Sequence, residues 1–560
     1  MNKLILLSIL SVVLFSCTNR QKQMEKELVQ FIDSLEQKVE PLQTGAALAY
    51  FNATTTGKQE EYDRYSEMNI QLTRIYSDSA LFSQLKKFKE SGLIKDSLLS
   101  RQLYVLYNSF LANQTDTELL ERLILAQTNL EKRYSTFRAN VRGKSLTDNE
   151  IEQILKTSVN SNALKESWLA SKQVGDAVSA DVIGLVKMRN EIAVKLGFKN
   201  YHEMSLKLSD QDPAEIEKLF DELDSLTRQT FAKLKSGIDD FLSTRFKIKK
   251  EDLMPWHYQN RFFQEAPSIY SVDLDSYYKD KDVVELSRKY YAGIGLDVDE
   301  ILAKSDLYER EGKYQHAYCT HIDLKGDVRV VCNVINNNQW MNTMLHELGH
   351  GVYDKNLDMT LPYFLRTPAH TFTTEAIAMI FGRLSSNPYW IMENVGISSD
   401  EADKIKDDVF NSQRLEQLVF SRWCQVMFRF EKSMYENPDQ DLNKLWWDLV
   451  EKYQMLRKPE GRNNADWASK IHVALYPCYY HNYQLGELLA SQLQAYINTK
   501  VLQRNASDIV SLSNNPEIGT YLLNSVFRPG ARYQWNDMIR RATGEELTAK
   551  FYAKQFVGNE

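Results

Sequence analysis

The chain has 560 residues, of which 43% are hydrophobic, enough to bury one large core or two fused lobes. Charged residues make up 26% and sum to a formal charge of -7 with a sequence pI near 5.9, so no chain-wide positive field exists to hold a phosphate backbone, and nucleic acid is excluded as an expected partner. Apart from Cys17, the cysteines are Cys319, Cys332, Cys424 and Cys478. They are too few for a disulfide scaffold and do not form the close pairs that bind structural zinc.

The chain opens with Met1-Asn2-Lys3, an apolar run over residues 4–15, and Ser16-Cys17. This reads as a charged start, a short hydrophobic region and a processing site, and the run is too short to span a bilayer as a permanent helix. Leu14-Phe15-Ser16-Cys17 resembles a bacterial lipobox, with Cys17 as the lipidated residue; the alternative is an ordinary secretory signal. Either reading makes residues 1–17 a signal peptide and sends the mature chain, 18–560, to the periplasmic or cell-surface side. The lipobox reading also anchors it to the membrane.

Helical periodicity dominates the mature chain. Leu28, Phe31, Ile32, Leu35, Val39 and Leu42 repeat at three and four residues, the buried stripe of an amphipathic helix. Val182, Leu185, Val186, Met188, Ile192 and Leu196 make another, stopping at Gly197. No low-complexity linker or fixed-period repeat interrupts the chain. The expectation is a single mainly helical unit over 18–560, without a detachable module.

One segment departs from this pattern. Residues 314–323 and 328–334 are β-prone runs around Leu324-Lys325-Gly326-Asp327, which predicts a hairpin. With a two-residue turn at Lys325-Gly326, Cys319 stands directly opposite Cys332, a register compatible with a disulfide.

The run that carries chemistry is Trp340-Met341-Asn342-Thr343-Met344-Leu345-His346-Glu347-Leu348-Gly349-His350. Two histidines four apart on a helix project from one face and reach one zinc ion, with Glu347 beside them to take a proton from a zinc-activated water. A short match of this kind also arises by chance on solvated helices. A catalytic zinc therefore requires a third protein ligand, and Glu375 is the candidate. Ile377, Ile380, Phe381 and Leu384 mark its helix as core-facing, where an unpaired carboxylate is costly. The competing reading is a solvated glutamate favoured by the dipole at a helix start.

With these residues in place the chain resembles the angiotensin-converting-enzyme family of peptidyl-dipeptidases. Ala46-Ala47-Leu48-Ala49-Tyr50-Phe51-Asn52 is similar to the family's first long helix, and Val186-Lys187-Met188-Arg189-Asn190-Glu191 to another of its helical segments. The more specific matches are Gly326-Asp327-Val328-Arg329-Val330-Val331-Cys332, the zinc helix, and the block over residues 365–382. The resemblance implies a mainly α, two-lobed zincin-type peptidase with a deep central cleft, one small β-hairpin near the active site, and its zinc site within 310–490. It also assigns residues. His316-Ala317 is similar to a His-Ala pair that binds the substrate backbone like an added strand. Lys470-Ile471-His472 and Tyr480-His481-Asn482-Tyr483 resemble a lysine and histidine followed by two tyrosines. By that likeness His472 and Tyr483 stabilise the oxyanion, while Lys470 and Tyr480 hold a free C-terminal carboxylate. Tyr479 and His481 are alternatives, because the interval from His472 to Tyr483 is one residue longer than in the family, and simple aromatic packing is the competing reading.

Three departures limit the likeness. Asn482 stands where animal members have an arginine that helps bind chloride, so chloride activation is not expected. Met379 replaces an aspartate that follows the glutamate ligand. No residue is identified as the family's carboxylate-pocket glutamine. The resulting expectation is a peptidase with one catalytic Zn2+ that acts on peptide substrates, with a membrane anchor and no obligate protein partner. The alternatives are an endopeptidase resembling the thimet oligopeptidase family and a non-catalytic zinc- or peptide-binding lipoprotein.

Overall fold

A computed structural model of the chain describes residues 2–270 and 272–558, without the side chains of 2–18 and 117. The lipidation expected at Cys17 therefore falls outside the described residues. The fold is mainly helical, with two antiparallel two-stranded hairpins among the described residues. None of the described helices is long and apolar enough to cross a membrane.

The chain divides into two compact units, each built from separate stretches. The first comprises Met1–Thr115, Asp282–Ala378 and Asn514–Glu545; the second comprises Asp116–Lys281, Met379–Ser513 and Glu546–Glu560.

In the first unit the long helix Asn2–Thr56 carries the first predicted stripe: Leu28, Ile32, Leu35 and Val39 are buried against Leu85 and Phe88 of helix Ser79–Ser91 and against Leu99, Leu103, Leu106 and Phe110 of helix Ser97–Ala112. Asp78 and Asp96 start those two partner helices by accepting backbone N–H groups that have no intrahelical acceptor.

The predicted hairpin is also in this unit, as strands Tyr318–His321 and Val328–Val331. Its register corrects the expectation, because Cys319 faces Val330, two residues from Cys332. The connection is longer than a two-residue turn. Asp323 Oδ1 accepts the N–H groups of Lys325 at 2.7 Å and Asp327 at 3.0 Å, while Leu324 and Gly326 adopt φ of 52° and 106°. Cys319 and Cys332 thus share a face as diagonal neighbours, a pairing too wide for a disulfide, and both thiols are free.

In the second unit the helix Ser161–Lys195 buries Val182, Leu185, Val186 and Ile192 of the second predicted stripe, and it stops where Gly197 takes a φ of 90°. Asn160 caps its start, accepting from Asn162 and Ala163. Helix Ser399–Glu436 packs on helix Pro213–Phe246, where buried Arg422 pairs with Asp224 and Gln425 Nε2 donates to Phe220 O at 2.6 Å. A second hairpin, Ala139–Val141 with Lys144–Leu146, turns through Arg142-Gly143, both at positive φ as a two-residue turn requires.

Candidate metal centre

The helix Asn338–Lys355 begins where Asn337 accepts the Trp340 N–H at 2.8 Å. Its Met341, Met344, Leu345, Leu348 and Val352 are buried, and the Tyr291 hydroxyl, from helix Val283–Gly293, donates to Leu345 O. This anchors the inner face and leaves His346 and His350 together on an adjoining one, with their Nε2 atoms 3.2 Å apart. Glu375 lies inside helix Thr371–Gly382 rather than at its start, which removes the helix-start reading of that residue. Its Oε2 is 3.7 Å from His346 Nε2 and 3.9 Å from His350 Nε2.

These distances test whether a metal fits. Ligand atoms about 2.0–2.1 Å from a tetrahedral zinc stand roughly 3.3 Å from one another. All three donors lie within 4.8 Å of one another, so the set closes on a cation with small side-chain movements. Protonation agrees. Burial pushes His346 down to about 4; burial and the neighbouring His346 push His350 down to about 3, so both imidazoles are neutral at neutral pH and offer lone pairs. His350 Nδ1 is 2.7 Å from Thr374 Oγ1; with Nδ1–H donating there, Nε2 keeps its lone pair for the metal. Thr374 thus supplies support that Met379 cannot.

Glu347 is 8% exposed. Burial and the nearby Glu375 carboxylate raise its pKa to about 8, against the pull of a backbone N–H from Cys319. Without a cation at the His346–His350 pair the carboxyl is therefore mostly protonated near neutrality, and a positive charge there would lower it into the range of a base. The hairpin therefore reaches the Glu347 carboxyl through its backbone. His316 is exposed and Ala317 half-buried, just before the same strand, and the Tyr314 and His316 rings lie 5.2 Å apart.

The remaining predicted residues belong to the second unit and cluster there. Lys470 is buried; its Nζ donates to Gln264 Oε1 at 2.6 Å and lies about 5.5 Å from the Tyr480 ring centre. Burial lowers Lys470 to about 8. His472, lowered to about 4 by burial and then by Lys470, meets Tyr480 edge to face with ring centres 5.2 Å apart, and its buried Nδ1 has no hydrogen-bond partner. Tyr483 follows on helix His481–Tyr496, with its ring centre 5.3 Å from that of Tyr480.

Two residues carry contacts that no sequence pattern marks. Gln264 sits in an irregular stretch without periodicity, and it supplies the amide beside Lys470. Gln211 bridges His481 and Asn482, donating to Asn482 Oδ1 at 2.7 Å and lying 2.8 Å from His481 Nε2. That buried network accounts for His481 as a structural residue.

Comparison with known proteins gives one family model, described as angiotensin-converting enzyme, which matches residues 22–556. A curated relative, the inactive angiotensin-converting enzyme-related protein of Caenorhabditis elegans, is 28% identical over 134 residues. That stretch is 23% of this chain and 15% of the relative. A match over nearly the whole chain, on a helical fold carrying this donor set, shows that the chain belongs to the angiotensin-converting enzyme family of peptidases.

Proposed function

We propose that the chain is a zinc-dependent peptidase that releases dipeptides from the free C-terminus of oligopeptides. The convergence of His346, His350 and Glu375, with Glu347 buried on the same helix as the histidines, carries this reading. Two neutral imidazoles and a carboxylate are a donor set that zinc accepts, and three protein ligands leave a position open. When bound, zinc supplies Lewis-acid polarisation of the scissile carbonyl and acidifies the attacking water.

The chain's own residues do the rest. Glu347 takes the water's proton and returns it to the departing amine. The family likeness supports His472 and Tyr483 as hydrogen-bond donors to the oxyanion, and a neutral His472 retains an N–H for that purpose. His316 and Ala317 hold the substrate backbone. Lys470, Gln264 and Tyr480 bind the terminal carboxylate, which brings Lys470 the counter-charge that its burial among aromatic rings withholds. Export and anchoring through Cys17 belong to the same proposal; Cys17→Ser should release the protein from the membrane fraction, and a variant still sedimenting with membranes would remove the anchor.

Product analysis by mass spectrometry tests the function. Peptides with free C-termini should lose two residues at a time, amidated ones should resist, and chelation should stop hydrolysis until zinc is returned. Internal cuts indifferent to amidation favour the thimet-like endopeptidase. Zinc binding without hydrolysis favours a non-catalytic protein, the condition that the nematode relative's name describes for that relative.

A further inference from the structure

The segment between His472 and Tyr483 contains an unusual bend. Helix Ile471–Leu475 ends before it and helix His481–Tyr496 begins after it, and between them Cys478 adopts a φ of 56°. A residue with a Cβ disfavours that left-handed conformation, so the surroundings must hold it.

Two polar side chains buried deep in the second unit hold it. Glu431, on helix Ser399–Glu436, is 2% exposed, and its Oε1 accepts the Cys478 N–H at 2.8 Å. Arg189, on helix Ser161–Lys195, is 1% exposed; its Nη2 donates to Ala474 O at 2.8 Å and its Nη1 to the Tyr435 hydroxyl at 3.2 Å. Asn190 Nδ2 donates to Tyr435 O at 2.8 Å and fixes that partner in turn. The end of helix Ile471–Leu475 and the bend after it are thus gripped at a carbonyl and at an amide by side chains from two different helices. Burying either side chain without a partner is unfavourable compared with apolar packing, so the hydrogen bonds they make to this segment distinguish them from ordinary core.

We propose that Glu431 and Arg189 are positioning residues: by clamping the bend at Cys478 they fix the spacing of His472 and Tyr483 on either side of it. Neither touches substrate. The consequence for catalysis rests on the roles proposed above for His472 and Tyr483, whereas the clamp itself stands on the contacts. Lys470 precedes His472 and is tied separately to Gln264, so loosening the bend should impair turnover more than substrate capture.

The test uses the full chain and two readouts. Hydrogen–deuterium exchange over residues 473–480 is followed in wild type, Glu431→Gln, Glu431→Met and Tyr435→Phe, alongside kcat and KM on a peptide with a single cleavage site. Gln keeps an acceptor for the Cys478 N–H; Met removes it. Exchange in the segment should rise about tenfold in Glu431→Met and stay within about twofold in Glu431→Gln. In the Met variant kcat should fall about tenfold with KM changed less than about twofold and zinc content unaltered. Tyr435→Phe removes a single hydroxyl; it should shift both readouts in the same direction by less, and it decides the matter if Glu431→Met does not fold. Equal exchange in all variants overturns the clamp. Faster exchange with unchanged kcat overturns the positioning role and leaves the peptidase reading intact. A wild type that hydrolyses nothing removes the peptidase reading and the catalytic purpose with it, while exchange still decides whether the clamp exists.

Discussion

Thr374 Oγ1 lies 2.7 Å from Nδ1 of His350, on the residue immediately before Glu375. One stretch of helix Thr371–Gly382 therefore supplies both a candidate ligand and the hydroxyl that orients a second ligand. Fixing the imidazole in this way is where outer partners of a metal site exert their effect.

Replacing Thr374 by Val should lower zinc affinity about 10–100-fold, the usual consequence of losing such a partner. Thr374→Ser should retain it. Competition with a chromophoric chelator measures both, and a Val variant with wild-type affinity rejects the role.

Glu347→Gln removes the proton acceptor and none of the metal donors. Turnover should drop by about 10²–10⁴-fold, the range for a lost general base, while zinc content stays level. Near-normal rates on a sensitive fluorogenic peptide would contradict the assignment.

Gly175, on helix Ser161–Lys195, lies hard against the turn that leads into Lys470. A Cβ there would stand 2.2 Å from Ala465 O and 2.9 Å from Ser469 N, both backbone atoms with little freedom to yield. Gly175→Ala should therefore destabilise the protein by roughly 1–3 kcal/mol, read as a lower Tm, because it overpacks a rigid contact. It should also raise KM for peptides with a free C-terminus more than for amidated ones. An unchanged Tm would show that the two segments part easily.

Glu431 gives the protein a pH dependence with a definite sign. Burial raises its pKa to about 8 from an ordinary 4.5, against smaller opposing effects of the Cys478 N–H and of Arg189. The folded state thus keeps a proton that an unfolded glutamate releases, so stability from this group is complete below pH 4.5 and is lost as pH rises towards 8. Arg189, Tyr435, Tyr201 and Cys478 surround it and are common to the variant. Glu431→Gln should accordingly lose less Tm than wild type between about pH 5.5 and 8.5. Parallel Tm curves would show that the carboxyl is ionised throughout.

The sequence disclosed what local spacing controls. His346 and His350 recur at a helical interval and their helix is amphipathic, so their shared face was readable, and the hydrophobic helix around Glu375 marked an acid that needed a partner. The hairpin was readable from its β-prone runs, but its register was not, because Asp323 folds its side chain over the turn and lengthens the connection by an amount that composition does not encode. Thr374 and Gln264 were hidden for a different reason: each acts through one long-range side-chain contact, and neither lies on a periodic stripe. The short Ala139–Val141 hairpin leaves no mark in the sequence, because three-residue strands carry too little alternation.

The most direct measurement is zinc per chain by elemental mass spectrometry on dialysed full-length protein, wild type against Glu375→Ala. The account predicts one zinc per wild-type chain and near-complete loss in the variant, since a single carboxylate completes the donor set. A wild type free of divalent metal after zinc loading, or a variant that holds zinc as tightly as its parent, would contradict it.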